Sequence, residues 1–166
     1  MNRRTMIAGL LASPVAVSIA AAATTGSLLP LQLATSWLGA HPSLSSLHGR
    51  VVLVDIFTFE CINCVRITPN LKRLYATYPR SSFEIVAVHT PEVPSYQRST
   101  AYVAGQAHAS KLPWPIAIDN DQRIWDAYGV NAWPTQLIFD RSGRLHTMIV
   151  GDGQDRQVNA AVRALI

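Results

Sequence analysis

Cysteine is nearly absent from this chain, with two residues in 166. That count excludes a disulfide-built scaffold, because no second bridge can form. It also excludes a closed zinc site, which takes four ligands. The five histidines, His41, His48, His89, His108 and His146, show no ligand spacing around the two thiols. Cys64 is followed by Val65, so c-type haem attachment is excluded too. No metal and no organic cofactor is therefore expected. Charge is sparse as well. Charged residues make up 14% of the chain, 14 basic against 10 acidic, and no basic cluster appears. That argues against a nucleic-acid partner. Neither an internal repeat nor a low-complexity tract is present.

Only one apolar run is long. From Met6 to Ala23 there is no charge, after the basic segment Met1-Asn2-Arg3-Arg4-Thr5 and ending in Ala21-Ala22-Ala23. A basic start, an apolar middle and small residues at the end form a secretory signal. The adjacent Arg3 and Arg4 also allow a twin-arginine signal. An uncleaved membrane anchor is the alternative, although the run is near the lower limit for spanning and contains Pro14. Under either reading the domain is expected to be periplasmic or otherwise extracytoplasmic, where disulfide chemistry is permitted. The expected organisation is residues 1–23 as export signal or anchor, 24–49 as linker and irregular N-terminal segment, and 50–166 as one domain. After cleavage about 143 residues would remain, enough to bury roughly two-thirds of their surface. Without Arg3 and Arg4 the net charge falls from +4 to near +2.

The two cysteines stand three apart in Cys61-Ile62-Asn63-Cys64, directly after the apolar run Val51–Phe57. A strand delivers the first thiol to a turn, and a helix starting there holds the second one turn behind. Such Cα positions lie about 5–6 Å apart, within the window for a disulfide. As a staple this four-residue loop is weak, worth about 2 kcal/mol against roughly 4.7 for a hundred-residue loop. As a redox switch it is well placed, since a helix N-terminus stabilises a thiolate.

Periodicity predicts the remaining elements. Arg50 to Thr58 reads as a strand covered on both faces. Cys61 to Tyr78 reads as a helix with Ile67, Leu71, Leu74, Tyr75 and Tyr78 on one stripe and Pro69 inside it. Phe83 to His89 is a second central strand, Pro94 to Ser110 a weakly amphipathic helix, and Trp114 to Ile118 a short strand. Asp121 is expected to cap a helix that runs through Tyr128 and ends at Gly129. Thr135 to Asp140 and Arg144 to Val150 form a hairpin about Arg141-Ser142-Gly143. Gln154 to Ile166 is a closing helix. The expected order, β-α-β-α-β-α-β-β-α, gives parallel central strands with an antiparallel edge.

This order and these motifs resemble the thioredoxin-like superfamily: an α/β fold with a central mixed sheet flanked by helices and an inserted helix–strand unit. Asp55 lies six before Cys61, where thioredoxins carry a buried carboxylate. Pro69 lies five after Cys64, where they carry a helix proline. Trp133-Pro134-Thr135 precedes the last hairpin, where they carry a cis-proline loop. Phe57–Cys64, Val88-His89-Thr90-Pro91-Glu92, Asp119-Asn120-Asp121 and Trp125–Gly129 are similar to the TlpA/redoxin group, and in particular to the thioredoxin-like domain of DipZ-type proteins. Two positions depart from the thioredoxin pattern. Glu60 stands where many have Trp, and Trp133 where they have a smaller residue.

The resemblance implies a thiol–disulfide oxidoreductase that reduces disulfides in extracytoplasmic client proteins, fed by a membrane electron donor of the CcdA/DsbD type. A disulfide oxidase or isomerase is the alternative. Cys61 would be the nucleophile and Cys64 the resolving thiol. Asp55 would take the Cys64 proton, and burial should raise its pKa. Pro134 would leave backbone free for a client strand, with Trp133 shielding the disulfide, gripping the client or simply packing at the edge. Glu60 would either set a negative charge beside the nucleophile and oppose its thiolate, or be a solvated surface charge of little effect. His89 and Glu92 could border the site, while Trp125 and Tyr128 are expected to pack. A thiol peroxidase is the nearest rival. Thr58-Phe59-Glu60-Cys61 matches the peroxiredoxin T-x-x-C core, but Val54 stands where that pattern wants proline.

Overall fold

The computed structural model describes residues 26–92 and 98–166; the Met6–Ala23 run lies outside them. Val51–Phe57 forms β2 and Phe83–His89 forms β3, and every residue of both strands is buried. Their β-branched and aromatic residues favour extended backbone, and two covered faces need no polar alternation. β3 lies parallel to β2 on one side, and Thr135–Phe139 (β5) lies antiparallel on the other. Beyond β5 comes Leu145–Val150 (β6), antiparallel. Beyond β3 comes Ile116–Ile118 (β4), parallel. An additional strand, Ser36–Leu38 (β1), pairs antiparallel with β4. The sheet therefore has six strands in the order β1-β4-β3-β2-β5-β6.

Alternation along β2 divides the core in two. Val51, Leu53 and Phe57 pack with the helix Ile62–Thr77 (α2) and the helix Asp155–Leu165 (α5) on one face. Val103, from the helix Thr100–Ala109 (α3), and Trp114 belong to the same face. Val52, Val54 and Ile56 pack on the other face with Ile124 and Tyr128, from the helix Arg123–Tyr128 (α4), and with Leu28, Leu31 and Leu47 of the N-terminal segment. That segment contains a 3-10 turn, Leu29–Leu33, and one short helix, Leu44–Leu47 (α1). On the α2 face, Asn70 and Asn159 exchange hydrogen bonds of 2.9 and 3.1 Å and fix α2 to α5.

The expected parallel centre and antiparallel hairpin edge are present. Three details differ. β1 lies in a segment expected to be irregular. It has only three residues, and its partner is some eighty positions away, so no local pattern announces it. Asp121 does not cap α4. The carboxylate of Asp119 does, accepting from the amides of Ile124 (2.9 Å) and Trp125 (3.0 Å). Gln122 stands at φ +60°, a left-handed turn just before the helix, while Asp121 is exposed. α3 begins at Thr100, where the hydroxyl of Ser99 accepts from the amide of Tyr102; the expected start at Pro94 lies outside the described residues. Gly129 ends α4 at φ +65°, where a glycine costs least.

Candidate redox site

β2 ends at Phe57, and Thr58-Phe59-Glu60 turns the chain into α2. Cys61 is the residue just before that helix, with φ −85° and ψ 113°, so its sulfur sits at the sheet's tip and is partly exposed. Cys64 lies one turn in and is buried. Both are free thiols. Pro69 stands inside α2 and removes the amide that would otherwise bond to the carbonyl of Val65. Beside the cysteines, Ile62 and Val65 project into solvent, 60% and 52% exposed. These two exposed apolar side chains, next to Cys61 and Cys64 in sequence, make an apolar collar on the first turn of α2.

The loop before β5 faces the cysteines. The Trp133–Pro134 peptide bond is cis. The Cys61 thiol approaches the Trp133 carbonyl oxygen at 3.9 Å. The indole of Trp133 is fixed on two sides. Its Nε1 donates to the carbonyl of Thr90 at 3.1 Å, and its ring lies 4.2 Å from that of Trp125. Glu60 is exposed at the tip, and its carboxylate accepts a hydrogen bond from the hydroxyl of Tyr102 on α3. The inserted helix thus reaches the residue next to Cys61.

Asp55 stands two residues before the end of β2 and points to the α2 face. It is 5% exposed, and its Oδ1 accepts from Nε2 of Gln136 at 3.0 Å. Burial raises its pKa from 3.8 to about 7, and the Gln136 hydrogen bond opposes that rise. Burial also pushes the Cys64 thiol far up. A hydrogen bond with the Thr58 backbone opposes this, while the charge on Asp55 and the contact with the Cys61 thiol add to it. Cys64 is therefore a poor nucleophile unless a neighbour takes its proton. Asp55 and Cys64 both line a cavity of about 490 Å³ between α2 and the Ser110–Trp114 loop, walled by Phe57, Phe59, Pro69 and Trp114. The cavity gives the buried carboxyl a way out to solvent.

The structure gathers most of the residues singled out in the sequence: Cys61, Cys64, Asp55, Trp133 and Pro134 meet at one end of the sheet. His89 sits beneath that tip. Its ring stacks on Phe59 and meets the edge of Phe57, both at 5.6 Å. Burial lowers its pKa from 6.5 to about 4, so it is neutral, and neither ring nitrogen has a hydrogen-bond partner among the described residues. It supports the aromatic pair that precedes Cys61. Glu92 is exposed on the loop after β3. Tyr128 packs against Phe139, as expected. Gln136 escaped sequence reasoning. A lone carboxamide in the apolar strand Thr-Gln-Leu-Ile-Phe was the available signal, since a glutamine buried there needs a partner.

The family model described as thioredoxin-like matches residues 49–145. The chain belongs to the thioredoxin-like family. Within that family, Protein DipZ of Mycobacterium tuberculosis is 34% identical over 136 residues, covering 80% of this chain and 19% of that protein. The chain thus spans about a fifth of the length of the curated DipZ relatives it matches. The thiol-disulfide oxidoreductase ResA of Bacillus anthracis is 26% identical over 140 residues, covering 84% of this chain and 78% of that protein. The crystal structure of a thiol-disulfide isomerase from Corynebacterium glutamicum superposes with a TM-score of 0.73 at 21% identity, over 80% of this chain and 91% of that one. The resemblance read from the motifs and the α/β fold expected from it both hold.

Proposed function

We propose that this protein is an extracytoplasmic thiol–disulfide oxidoreductase that reduces disulfides in client proteins. The observation that carries the reading is the asymmetry of the thiol pair. Cys61 is accessible at the start of α2, while Cys64 is buried beside a carboxyl that titrates near neutrality. The thiolate of Cys61 attacks a client disulfide, forming a mixed disulfide and releasing one client sulfur as thiolate. Cys64 then gives its proton to Asp55 and attacks the Cys61 sulfur. The bond from Cys61 to the client breaks, its electron pair leaves with the client thiolate, and the Cys61–Cys64 disulfide remains. Asp55 returns its proton to solvent through the cavity.

The apolar collar of Ile62 and Val65 and the fixed indole of Trp133 suit contact with an extended client segment at the proline loop. Glu60, held by Tyr102, keeps an acidic group next to Cys61. The uncharged run Met6–Ala23 behind two arginines supports export or anchoring, with residues 50–166 as the working domain. Among the described residues, no helix is long and apolar enough to cross a membrane. Electrons would then come from a membrane donor of the CcdA/DsbD type. The reduction potential of the Cys61–Cys64 couple against glutathione tests the direction. A value near −250 mV or below fits a reductant, and one near −120 mV would make the protein an oxidant.

A further inference from the structure

β2 and β5 run antiparallel with Asp55 directly opposite Gln136, so both side chains leave the sheet on the α2 face. Both are buried. Among the described residues, the Gln136 carboxamide is the one side chain that hydrogen-bonds the Asp55 carboxyl. An apolar residue of equal length would suit a buried strand equally well, and a buried carboxamide is costly unless it is bonded. Gln136 also stands two residues after Pro134, on the strand whose preceding loop places the Trp133 carbonyl against Cys61. One short strand therefore touches both ends of the thiol pair: backbone at Cys61, and a side chain on the carboxyl beside Cys64.

Resting on the reading of Asp55 as the proton acceptor for Cys64, we propose that Gln136 is a positioning residue, whose carboxamide holds the Asp55 carboxyl in place and favours the charged form that takes the Cys64 proton. The thiol proton of Cys64 passes to that carboxylate, and the sulfur's electron pair forms the bond to Cys61. Gln136 touches none of the reacting atoms. Its donated hydrogen bond selects the carboxylate over the carboxylic acid in a site where burial favours the acid.

The test is the pH profile of the resolving step, read as release of client thiol from a mixed disulfide on Cys61 in a single turnover. The unaltered protein should show a rise centred near pH 7, where Asp55 ionises. Gln136→Met keeps length and bulk but donates nothing. It should move the midpoint up by about one pH unit, so that release at pH 6 slows about tenfold while release at pH 9 is unchanged. Gln136→Glu, which sets a second carboxyl against the first, should move it further in the same direction. In the unaltered protein the Gln136 side-chain amide resonances should titrate with the same midpoint. Asp55→Asn should abolish the rise. If Asp55→Asn removes the rise but Gln136→Met leaves the midpoint in place, Gln136 is only a packing residue and the inference fails alone. If Asp55→Asn keeps the rise, the proton-acceptor reading fails and takes the inference with it.

Discussion

Removing the charge from Asp55 should stabilise the protein and slow it, and the first effect can be sized from the structure. The folded chain holds the Asp55 proton up to about pH 7, whereas an unfolded chain releases it near 3.8. Between those values the folded state binds more protons. Stability therefore falls as pH rises through the window, and the loss is complete above pH 7. A shift of roughly three units corresponds to about 4 kcal/mol. Asn has nearly the same shape, can still accept from Gln136, and never ionises. The advantage of Asp55→Asn over the unaltered protein should therefore be small at pH 4 and reach about 4 kcal/mol at pH 8. In urea, with a slope of about 2 kcal/mol per molar, that moves the unfolding midpoint at pH 8 by about 2 M. The measurement is equilibrium unfolding of the dithiol form at both pH values. If the variant gains nothing between pH 4 and pH 8, Asp55 is not a buried, destabilised carboxylate, and its part in the chemistry loses its basis.

His89 acts with the opposite sign. Its folded form resists protonation until about pH 4 against 6.5 for an unfolded chain, so it removes stability as pH falls through that window. His89→Phe, which keeps a ring between Phe57 and Phe59, should gain about 3 kcal/mol relative to the unaltered protein between pH 8 and pH 4, read by the same unfolding curves. Asn70→Ala breaks the paired carboxamides between α2 and α5 and leaves Asn159 unpaired; a loss of about 1–3 kcal/mol, equal at pH 5 and pH 8, is expected in urea. Asp119→Ala removes the acceptor for the Ile124 and Trp125 amides and for the Thr90 hydroxyl. It should cost about 2 kcal/mol. Because the Trp125 ring lies against that of Trp133 at a tilt of 36°, it should also alter near-ultraviolet circular dichroism from the two indoles.

Much of the site was written locally. A continuous β-branched strand, a turn and a helix start place Cys61 and Cys64 with no need of distant information. Asp55 was readable through the resemblance, as the carboxylate six residues before Cys61, and the structure sets it on the face of Leu53 and Phe57. Trp133-Pro134 was readable through the resemblance too, as the proline loop that precedes the last hairpin. What escaped the sequence depends on pairing across the fold. Gln136 acquires its meaning only when β5 aligns with β2. Asp119 replaces Asp121 as the cap of α4 because the turn at Gln122 swings the first amides back to it. β1 exists only because β4 offers an open edge. The reach of Tyr102 to Glu60 depends on how α3 lies over the site, which no periodicity in Pro94–Ser110 specifies.

The division of labour between the two thiols is tested most directly by trapping. Each single variant, Cys61→Ser and Cys64→Ser, is incubated in reduced form with a protein disulfide, and covalent adducts are identified by mass spectrometry. Cys64→Ser should accumulate a mixed disulfide through Cys61 and release no product, while Cys61→Ser should form no adduct at all. Adducts through Cys64 in the Cys61→Ser protein, or full turnover by either variant, would contradict the account.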